Sequence, residues 1–115
     1  MFVVSGEALM DVFAVGDTPT GVQLDARVGG SPFNVAVGLA RLGQPVALLT
    51  GLSTGFLGQR LMRALQDEGV LTDCVTALDA PTTISLIGLD ERGIPSYSFY
   101  GQGAADRSLP LSALS

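Results

Sequence analysis

Residues 2–76 alternate between strand-like and helix-like segments, and this alternation limits the possible folds more than any other feature of the chain. The segments read FVVSG, SPFNVAVGLARLG, PVALLTGL, FLGQRLMRALQDEG and a short run at 70–76. When strands and helices alternate in this way, the strands form a parallel sheet and the connections are right-handed. The sequence therefore predicts an α/β fold in which FVVSG and PVALLTGL are buried strands.

The two helices differ in how their apolar residues are distributed. The first is predicted over residues 32–42, because Ser31 suits the N-cap, Pro32 the first helical position and Gly43 the position after the end. It has no broad polar stripe, which is typical of a buried helix. The second, FLGQRLMRALQDEG, has a leucine stripe opposite arginines and glutamines, which predicts a surface helix that ends at Gly69.

Residues 12–28 and 82–100 have a different pattern from the rest of the chain. Each segment contains two strand-like runs separated by a turn, GDTPTG in the first and DERG in the second. In the second run of each segment, apolar and polar residues alternate, which indicates strands with one covered face and one wet face. We expect these strands to form a small separate sheet. Tyr97 and Phe99, in the second segment, either cap a ligand or pack against the sheet or a second subunit.

Charge and composition exclude several classes of function. The 115-residue chain has a net charge of −5, no histidine and one cysteine. An acidic chain is a poor binder of nucleic acid, and this composition provides neither an internal disulfide nor a zinc site. No apolar run is long enough to span a membrane, and MFVVSGEALMD lacks the basic start of a signal peptide. We therefore expect a cytoplasmic protein without a membrane partner.

The hydrophobic content of 47% is high for a chain of this length. Small domains have much surface for their volume and usually need more polar residues than this. We therefore expect part of the apolar surface to be covered by a partner or by more of the same domain.

Asp11 is the first candidate for a binding residue. We interpret it as the end of the first strand, after GEALM, and the carboxyl ends of strands in open α/β sheets face the ligand crevice. An ionised carboxylate accepts hydrogen bonds from two hydroxyl groups at once. The alternative is an exposed acidic residue at a strand end, without a ligand. Glu7 is a further candidate for the same crevice.

The segment GGSPFN supplies the other candidates, Gly29, Gly30 and Asn34. Because glycine has no Cβ atom, a ligand can approach the backbone here, and the free N–H groups at a helix start can donate hydrogen bonds to it. The Asn34 amide can both donate to and accept from a sugar hydroxyl group. Alternatively, Asn34 is the partner of Ser31 in a capping box. These residues and Asp11 converge if the hairpin between them leaves and returns at the same edge.

GGSPFNVAVGLARLG resembles the first signature of the ribokinase-like, or pfkB, carbohydrate kinases, and is most similar to that of bacterial fructokinases. GEALMD, FLGQRLMRALQDEGV, ERGIPSYSFY and AAD support the resemblance, which extends in order over essentially the whole chain. It implies a three-layer α/β/α domain with a β-sheet lid, to which residues 12–28 and 82–100 contribute. In several family members such strands pair between subunits, so a homodimer through the lid is a further expectation. The residues implied to contact sugar hydroxyl groups are Asp11, Gly29, Gly30 and Asn34.

Two departures from the family pattern limit what residues 1–115 are expected to do. Family members are considerably longer, and their second signature, a Gly-Ala-Gly-Asp type motif that carries the catalytic base, does not occur in this sequence. The family uses ATP and Mg²⁺, but no motif for either is recognised here, so we expect no catalytic residue and no metal ligand in this chain. After Gly51, Ser53, Thr54 and Gly55 replace the acidic run of the family, which predicts a locally weaker loop.

Residues 1–115 are therefore expected to be the N-terminal part of a sugar kinase domain, with most of the sugar site and the lid but without activity alone. Fructose is the expected substrate, and 2-keto-3-deoxygluconate or ribose is the alternative. A non-catalytic sugar-binding or dimerisation module is a second interpretation, and a truncated or proteolysed product is a third.

Overall fold

Two β-sheets organise residues 1–110, which are the residues that the computed structural model describes. The elements of this part of the chain are β1 (Phe2–Ser5), β2 (Leu9–Thr18), β3 (Gly21–Gly29), α1 (Ser31–Arg41), β4 (Val46–Ser53), α2 (Phe56–Asp67), β5 (Val75–Leu78), β6 (Thr83–Leu89), β7 (Pro95–Tyr100) and a short 3₁₀ helix (Ala105–Arg107). The first sheet has the strand order β1-β4-β5, and the second has the order β3-β2-β6-β7.

The three-stranded sheet is parallel, and α1 and α2 lie in the connections between its strands. This confirms the α/β fold predicted from the alternating segments. The third strand begins at Val75, later than the predicted run at 70–76, because Leu71 forms only an isolated bridge with Ala47. The chain then turns, and the N–H group of Val75 donates to the Thr72 carbonyl group at 3.1 Å.

The core lies between β4 and the two helices. β4 is buried on both faces, as predicted, and Val46 and Leu48 have no exposed surface. Leu61 and Leu65 of α2 are equally buried, whereas the arginines and glutamines of this helix are exposed, which confirms its predicted surface position. Gly69 follows α2 with a φ of 78°, in the left-handed conformation that favours glycine. No helix in the described residues has the length and apolar character needed to cross a bilayer.

The predicted burial of β1 and α1 is wrong. Phe2 and Val3 are 50% and 55% exposed, since β1 is an edge strand whose one neighbour in the described sheet is β4. Only Phe33 and Ala36 of α1 are buried, and Val35 is 50% exposed. An apolar pattern indicates which residues favour burial, but it does not show whether a second layer covers them.

The four-stranded sheet is mixed. β2 and β3 form one antiparallel hairpin, β6 and β7 form another, and β2 pairs with β6 in parallel. The two segments predicted as hairpins therefore do form one separate sheet. One face of its inner end packs on the core through Met10 and Val12 of β2, and the opposite face is available to form a site.

Candidate functional site

A cleft of about 540 Å³ opens between the N-terminus of α1 and one face of the four-stranded sheet. Its wall combines two carboxylates, one amide and two hydroxyl groups with a few apolar side chains. The lining residues are Glu7, Leu9, Asp11, Gly30, Ser31, Asn34, Val35, Ser85 and Phe99. Asp11, Gly30 and Asn34, three of the four residues predicted to contact a sugar, therefore meet at one place.

Strand pairing places Asp11 on the cleft face of the sheet. Asp11 lies opposite Arg27 of β3 on one side and opposite Ser85 of β6 on the other, and Ser85 lies opposite Phe99 of β7. Residues in register on neighbouring strands point to the same face. These four side chains therefore form a row across the sheet, and the row brings the Ser85 hydroxyl group next to Asp11.

Asp11 does not lie at the end of the first strand, contrary to the prediction. β1 ends at Ser5, and Asp11 is the third residue of β2, in the other sheet. The chain leaves the first sheet at Gly6, whose φ of 136° favours glycine. Asp11 lies near the start of α1 because β2 and β3 form a hairpin. In this hairpin Leu9, at the start of β2, pairs with Gly29, at the end of β3.

The Asp11 carboxylate has no cationic partner in the described residues, although Arg27 is its neighbour across the strands. Arg27 Nε donates to Asp25 Oδ2 at 3.0 Å, and its guanidinium carbon lies 5.5 Å from the centre of the Phe13 ring. Neither of the ion pairs formed within residues 1–110 involves Asp11. Its carboxylate oxygens are therefore available to accept hydrogen bonds from hydroxyl groups of a ligand.

Little space is left for a side chain at either glycine. A methyl group at Gly29 would lie 3.2 Å from Asp11 Cγ and less than 3.0 Å from its Oδ2, so glycine leaves the carboxylate in place. Gly30 has a φ of 104°, and a methyl group there would lie 2.8 Å from the carbonyl oxygen of Glu7. Glycine is the residue that adopts this conformation without strain.

The start of α1 differs from the prediction. Gly30, rather than Ser31, is the N-cap residue, and no side chain caps the helix. The capping box of Ser31 and Asn34 is therefore not formed, and the backbone N–H group of Asn34 donates to the Gly30 carbonyl group at 2.9 Å. Asn34 is exposed and lines the cleft, so its side-chain amide is available to a ligand, as is the backbone N–H group of Ser31 at the helix start.

The two aromatic candidates on β7 differ in position. Phe99 lines the cleft, and the guanidinium carbon of Arg107 lies 5.9 Å from the centre of its ring. Tyr97, two residues earlier on the same face, is 70% exposed and is not among the lining residues. Of these two, the structure brings only Phe99 to the site.

Ser85 is the polar lining residue that sequence reasoning missed. A signal was present, since the serine interrupts the apolar run TISLIGL. Its relation to Asp11 depends on the parallel pairing of β2 with β6, which joins distant parts of the chain. The sequence alone did not indicate that pairing.

Local hydrogen bonds hold the loop between β4 and α2. The Ser53 hydroxyl oxygen accepts from the N–H group of Gly55 at 3.0 Å, and Gln59 Nε2 donates to the Thr54 carbonyl group at 2.9 Å. These polar contacts order the start of α2 without an acidic side chain. The lower stability expected from the missing acidic run stays a prediction.

The chain matches one protein family along almost its whole length. The family model is that of the pfkB carbohydrate kinases, and the match covers residues 1–114. The chain belongs to this family. The resemblance drawn from GGSPFNVAVGLARLG is thereby confirmed.

Among pfkB proteins, the chain is similar to fructokinases and to a kinase with another named substrate. The fructokinase of Rhizobium leguminosarum bv. trifolii is 32% identical over 99% of this chain and 35% of that protein. The 5-dehydro-2-deoxygluconokinase 2 of Bacillus cereus is 31% identical over 76% of this chain and 27% of that protein. The crystal structure of the Xylella fastidiosa fructokinase is similar with a TM-score of 0.89 and 32% identity, covering 97% of this chain and 35% of that one. The chain thus spans 35% or less of the length of these relatives and has the fold of the N-terminal part of a pfkB kinase.

Proposed function

We propose that the cleft binds a neutral sugar, with fructose as the first candidate, and that the protein transfers a phosphoryl group from ATP to one of its hydroxyl groups in the cytoplasm. The observation that carries this proposal is the unpaired Asp11 carboxylate, which shares the cleft with the Asn34 amide and two serine hydroxyl groups. A few convergent polar groups of this kind suit a polyhydroxy ligand. The similarity to fructokinases supports fructose as the substrate.

The charge of the cleft supports a neutral sugar over a sugar acid. Glu7 and Asp11 both line the cleft, and none of its lining residues in the described chain is lysine or arginine. The carboxylate of 2-keto-3-deoxygluconate would lie near two like charges, and Arg27, the neighbour of Asp11 across the strands, is paired with Asp25 instead, which weakens its binding. Ribose has no such charge, so it is the alternative to fructose that the cleft accommodates better.

Each predicted residue has a distinct role in this proposal. Asp11 accepts hydrogen bonds from two sugar hydroxyl groups, and Asn34 donates to one hydroxyl group while accepting from another. Gly30 lets the sugar approach the backbone at the start of α1, and Gly29 leaves room for the Asp11 carboxylate. Phe99 packs against the apolar C–H face of the sugar.

The groups that carry out phosphoryl transfer are assigned to no residue of this chain. No three His, Cys, Asp or Glu side chains in the described residues form a cluster that fits a metal ion, so we place no Mg²⁺ ligand there. A crystal structure of the Xylella fastidiosa fructokinase contains bound ATP and is similar to this chain with a TM-score of 0.90. We therefore propose ATP and Mg²⁺ as requirements of the whole protein, and we expect the 115-residue polypeptide alone to show no turnover.

The test compares variants of the protein at its natural length. Asp11→Asn keeps the shape of the side chain and removes its charge, so it should raise the Kd for fructose about tenfold or more in a calorimetric titration. Asp79→Asn is the matched control, because Asp79 is an exposed carboxylate outside the cleft. Unchanged fructose affinity in Asp11→Asn would remove Asp11 from the site. Faster phosphorylation of 2-keto-3-deoxygluconate than of fructose or ribose, in a coupled ADP assay, would reject the neutral-sugar assignment.

An apolar surface supports a second proposal, a homodimer through the four-stranded sheet. At the outer end of this sheet lies a groove of about 360 Å³, in which Val22, Leu24 and Leu89 are 56%, 53% and 71% exposed. A second copy that covers the groove removes this apolar surface from water. Light scattering should give a dimer for the parent and a monomer for Leu24→Lys, whereas a monomeric parent would reject the proposal.

Saturable sugar binding without turnover at natural length would favour a non-catalytic sugar-binding protein.

A further inference from the structure

Asp106 lies outside the cleft but forms hydrogen bonds at the starts of β2 and β6, the strands that carry Asp11 and Ser85. It belongs to the short 3₁₀ helix that follows β7, and it is half-buried. Its Oδ2 accepts from the N–H group of Ala8 at 3.3 Å, and its Oδ1 accepts from the Thr83 hydroxyl group. Ala8 is 2% exposed and Thr83 is fully buried, so water does not readily replace these bonds.

The two partners of Asp106 stand at the starts of β2 and β6. Ala8 immediately precedes β2, and Thr83 is the first residue of β6, opposite Leu9. Two residues after Leu9 and Thr83 come Asp11 and Ser85, which lie opposite one another in the cleft. The carboxylate therefore joins the starts of the two strands just before their polar cleft residues.

The turn that contains Asp106 is itself fixed to the rest of the fold. The N–H group of Ala105 donates to the Pro81 carbonyl group at 2.8 Å. The carbonyl group of Ala105 packs so closely on Gly51 of β4 that a methyl group at Gly51 would overlap with it. Asp106 thus connects the parallel sheet, through β4, with the start of the four-stranded sheet.

We propose that Asp106 is a positioning residue, which fixes the relative placement of Asp11 and Ser85 in the cleft through Ala8 and Thr83. This inference rests on the proposed sugar-binding function of the cleft. A carboxylate forms stronger hydrogen bonds to N–H and O–H groups than a neutral acceptor does. When it is removed, the buried Thr83 hydroxyl group and the Ala8 N–H group lose their partner, and the strand starts are free to shift to satisfy them.

The test uses variants of the protein at its natural length that remove the hydrogen bond to Thr83 alone or both hydrogen bonds of Asp106. Thr83→Val removes the hydroxyl group at nearly constant shape, and Thr83→Ser restores it. Asp106→Leu removes both acceptor oxygens, and Asp79→Leu is the control at an exposed carboxylate. We expect Thr83→Val and Asp106→Leu to raise the KM for the sugar about tenfold, with the KM for ATP unchanged. Thr83→Ser and Asp79→Leu should retain the KM of the parent.

A purely structural role gives a different result and would overturn the proposal. In that case both variants would have lower melting temperatures, but their sugar KM, measured well below those temperatures, would equal that of the parent. If Asp106→Leu does not fold, the comparison of Thr83→Val with Thr83→Ser decides the question in the same way.

Hydrogen exchange distinguishes failure of this inference from failure of the proposed function. If the parent phosphorylates no sugar, amide exchange is measured without a ligand. Thr83→Val should then accelerate exchange in β2 and β6, with no change in β1 and β5. Unchanged exchange, or equal acceleration in all four strands, would show that Asp106 does not position the cleft strands, whatever the ligand of the cleft.

Discussion

Gly29 lies directly behind the Asp11 carboxylate, and the gap between them is too small for any side chain. A methyl group at this position would lie 3.2 Å from Asp11 Cγ, closer still to Oδ2, and 3.8 Å from Leu9 Cδ1. The φ of Gly29 is outside the left-handed region, so alanine fits the backbone without strain. Gly29→Ala therefore perturbs the position of one carboxylate and little else.

The expected loss of sugar affinity depends on which group moves when the methyl group is introduced. The Asp11 side chain can rotate into the open cleft, whereas the paired backbone of β2 and β3 cannot shift easily. Rotation displaces the acceptor oxygens and removes one charge-assisted hydrogen bond to the sugar, which costs about 1.5–3 kcal/mol, or about 10- to 150-fold in affinity. The free energy of unfolding should change by less than about 1 kcal/mol, because alanine lowers the entropy of the unfolded chain.

The assay combines calorimetric titration with fructose and thermal unfolding, both on the protein at its natural length. Gly88→Ala is the matched control in the same sheet, since a methyl group there would meet only Ala14 Cβ, at an ordinary 3.9 Å. We expect Gly29→Ala to lose affinity at nearly constant Tm, and Gly88→Ala to retain both values.

Two results would refute this reasoning. Parental fructose affinity in Gly29→Ala would show that the position of the Asp11 carboxylate does not matter for binding. A large decrease in Tm would show that the backbone, rather than the carboxylate, yields to the methyl group.

Three further predictions concern stability. Gly38→Ala should raise the free energy of unfolding by about 0.5–1 kcal/mol in a urea titration, because Gly38 is inside α1 and a methyl group there meets no atom of another element within 4 Å. Gly58→Ala should lower it by about 1–3 kcal/mol in the same assay, since its methyl group would overlap with the Ser53 carbonyl group. The Arg41 guanidinium group holds the pKa of Glu68 below its ordinary value, so this ion pair stabilises the fold at neutral pH and loses its effect as the pH falls through that lowered pKa. Because the Arg41 side chain is exposed and that of Glu68 is partly exposed, the Tm difference between the parent and Arg41→Met should be small, and it should vanish in acid or in high salt.

The parts of the fold that the sequence predicted are those with a local pattern. β4 is mostly apolar, and it has a strand on each side in the folded structure, so the buried strand expected from its composition is the one observed. α2 has an apolar stripe that meets the core and a polar stripe that meets water. In both elements, the local pattern indicated the surface that the neighbouring strands and helices then cover.

The failures arise where the outcome depends on distant parts of the chain. β1 is as apolar as β4, but as an edge strand it leaves Phe2 and Val3 half exposed. Because the chain leaves the first sheet at Gly6, Asp11 lies in β2 and not at the end of the first strand, where it was expected. Ser85 became a cleft residue only through the parallel pairing of β2 and β6, and no short pattern in the sequence specifies that pairing.

This difference explains why GGSPFN carries so much of the family resemblance. Gly29 ends β3, Gly30 is the N-cap residue of α1, and Asn34 follows near the helix start, so six residues connect the sheet side of the cleft with its helix side. Gly29 also leaves room for Asp11, and Gly30 adopts a φ that favours glycine next to the Glu7 carbonyl group. The same six residues must therefore end a strand, start a helix and form part of the binding site. These combined requirements restrict the residue types so strongly that the segment can be recognised as a motif. The part of the cleft that contains Asp11 and Ser85 depends instead on how β2 and β6 pair, so it can be identified only in the folded structure.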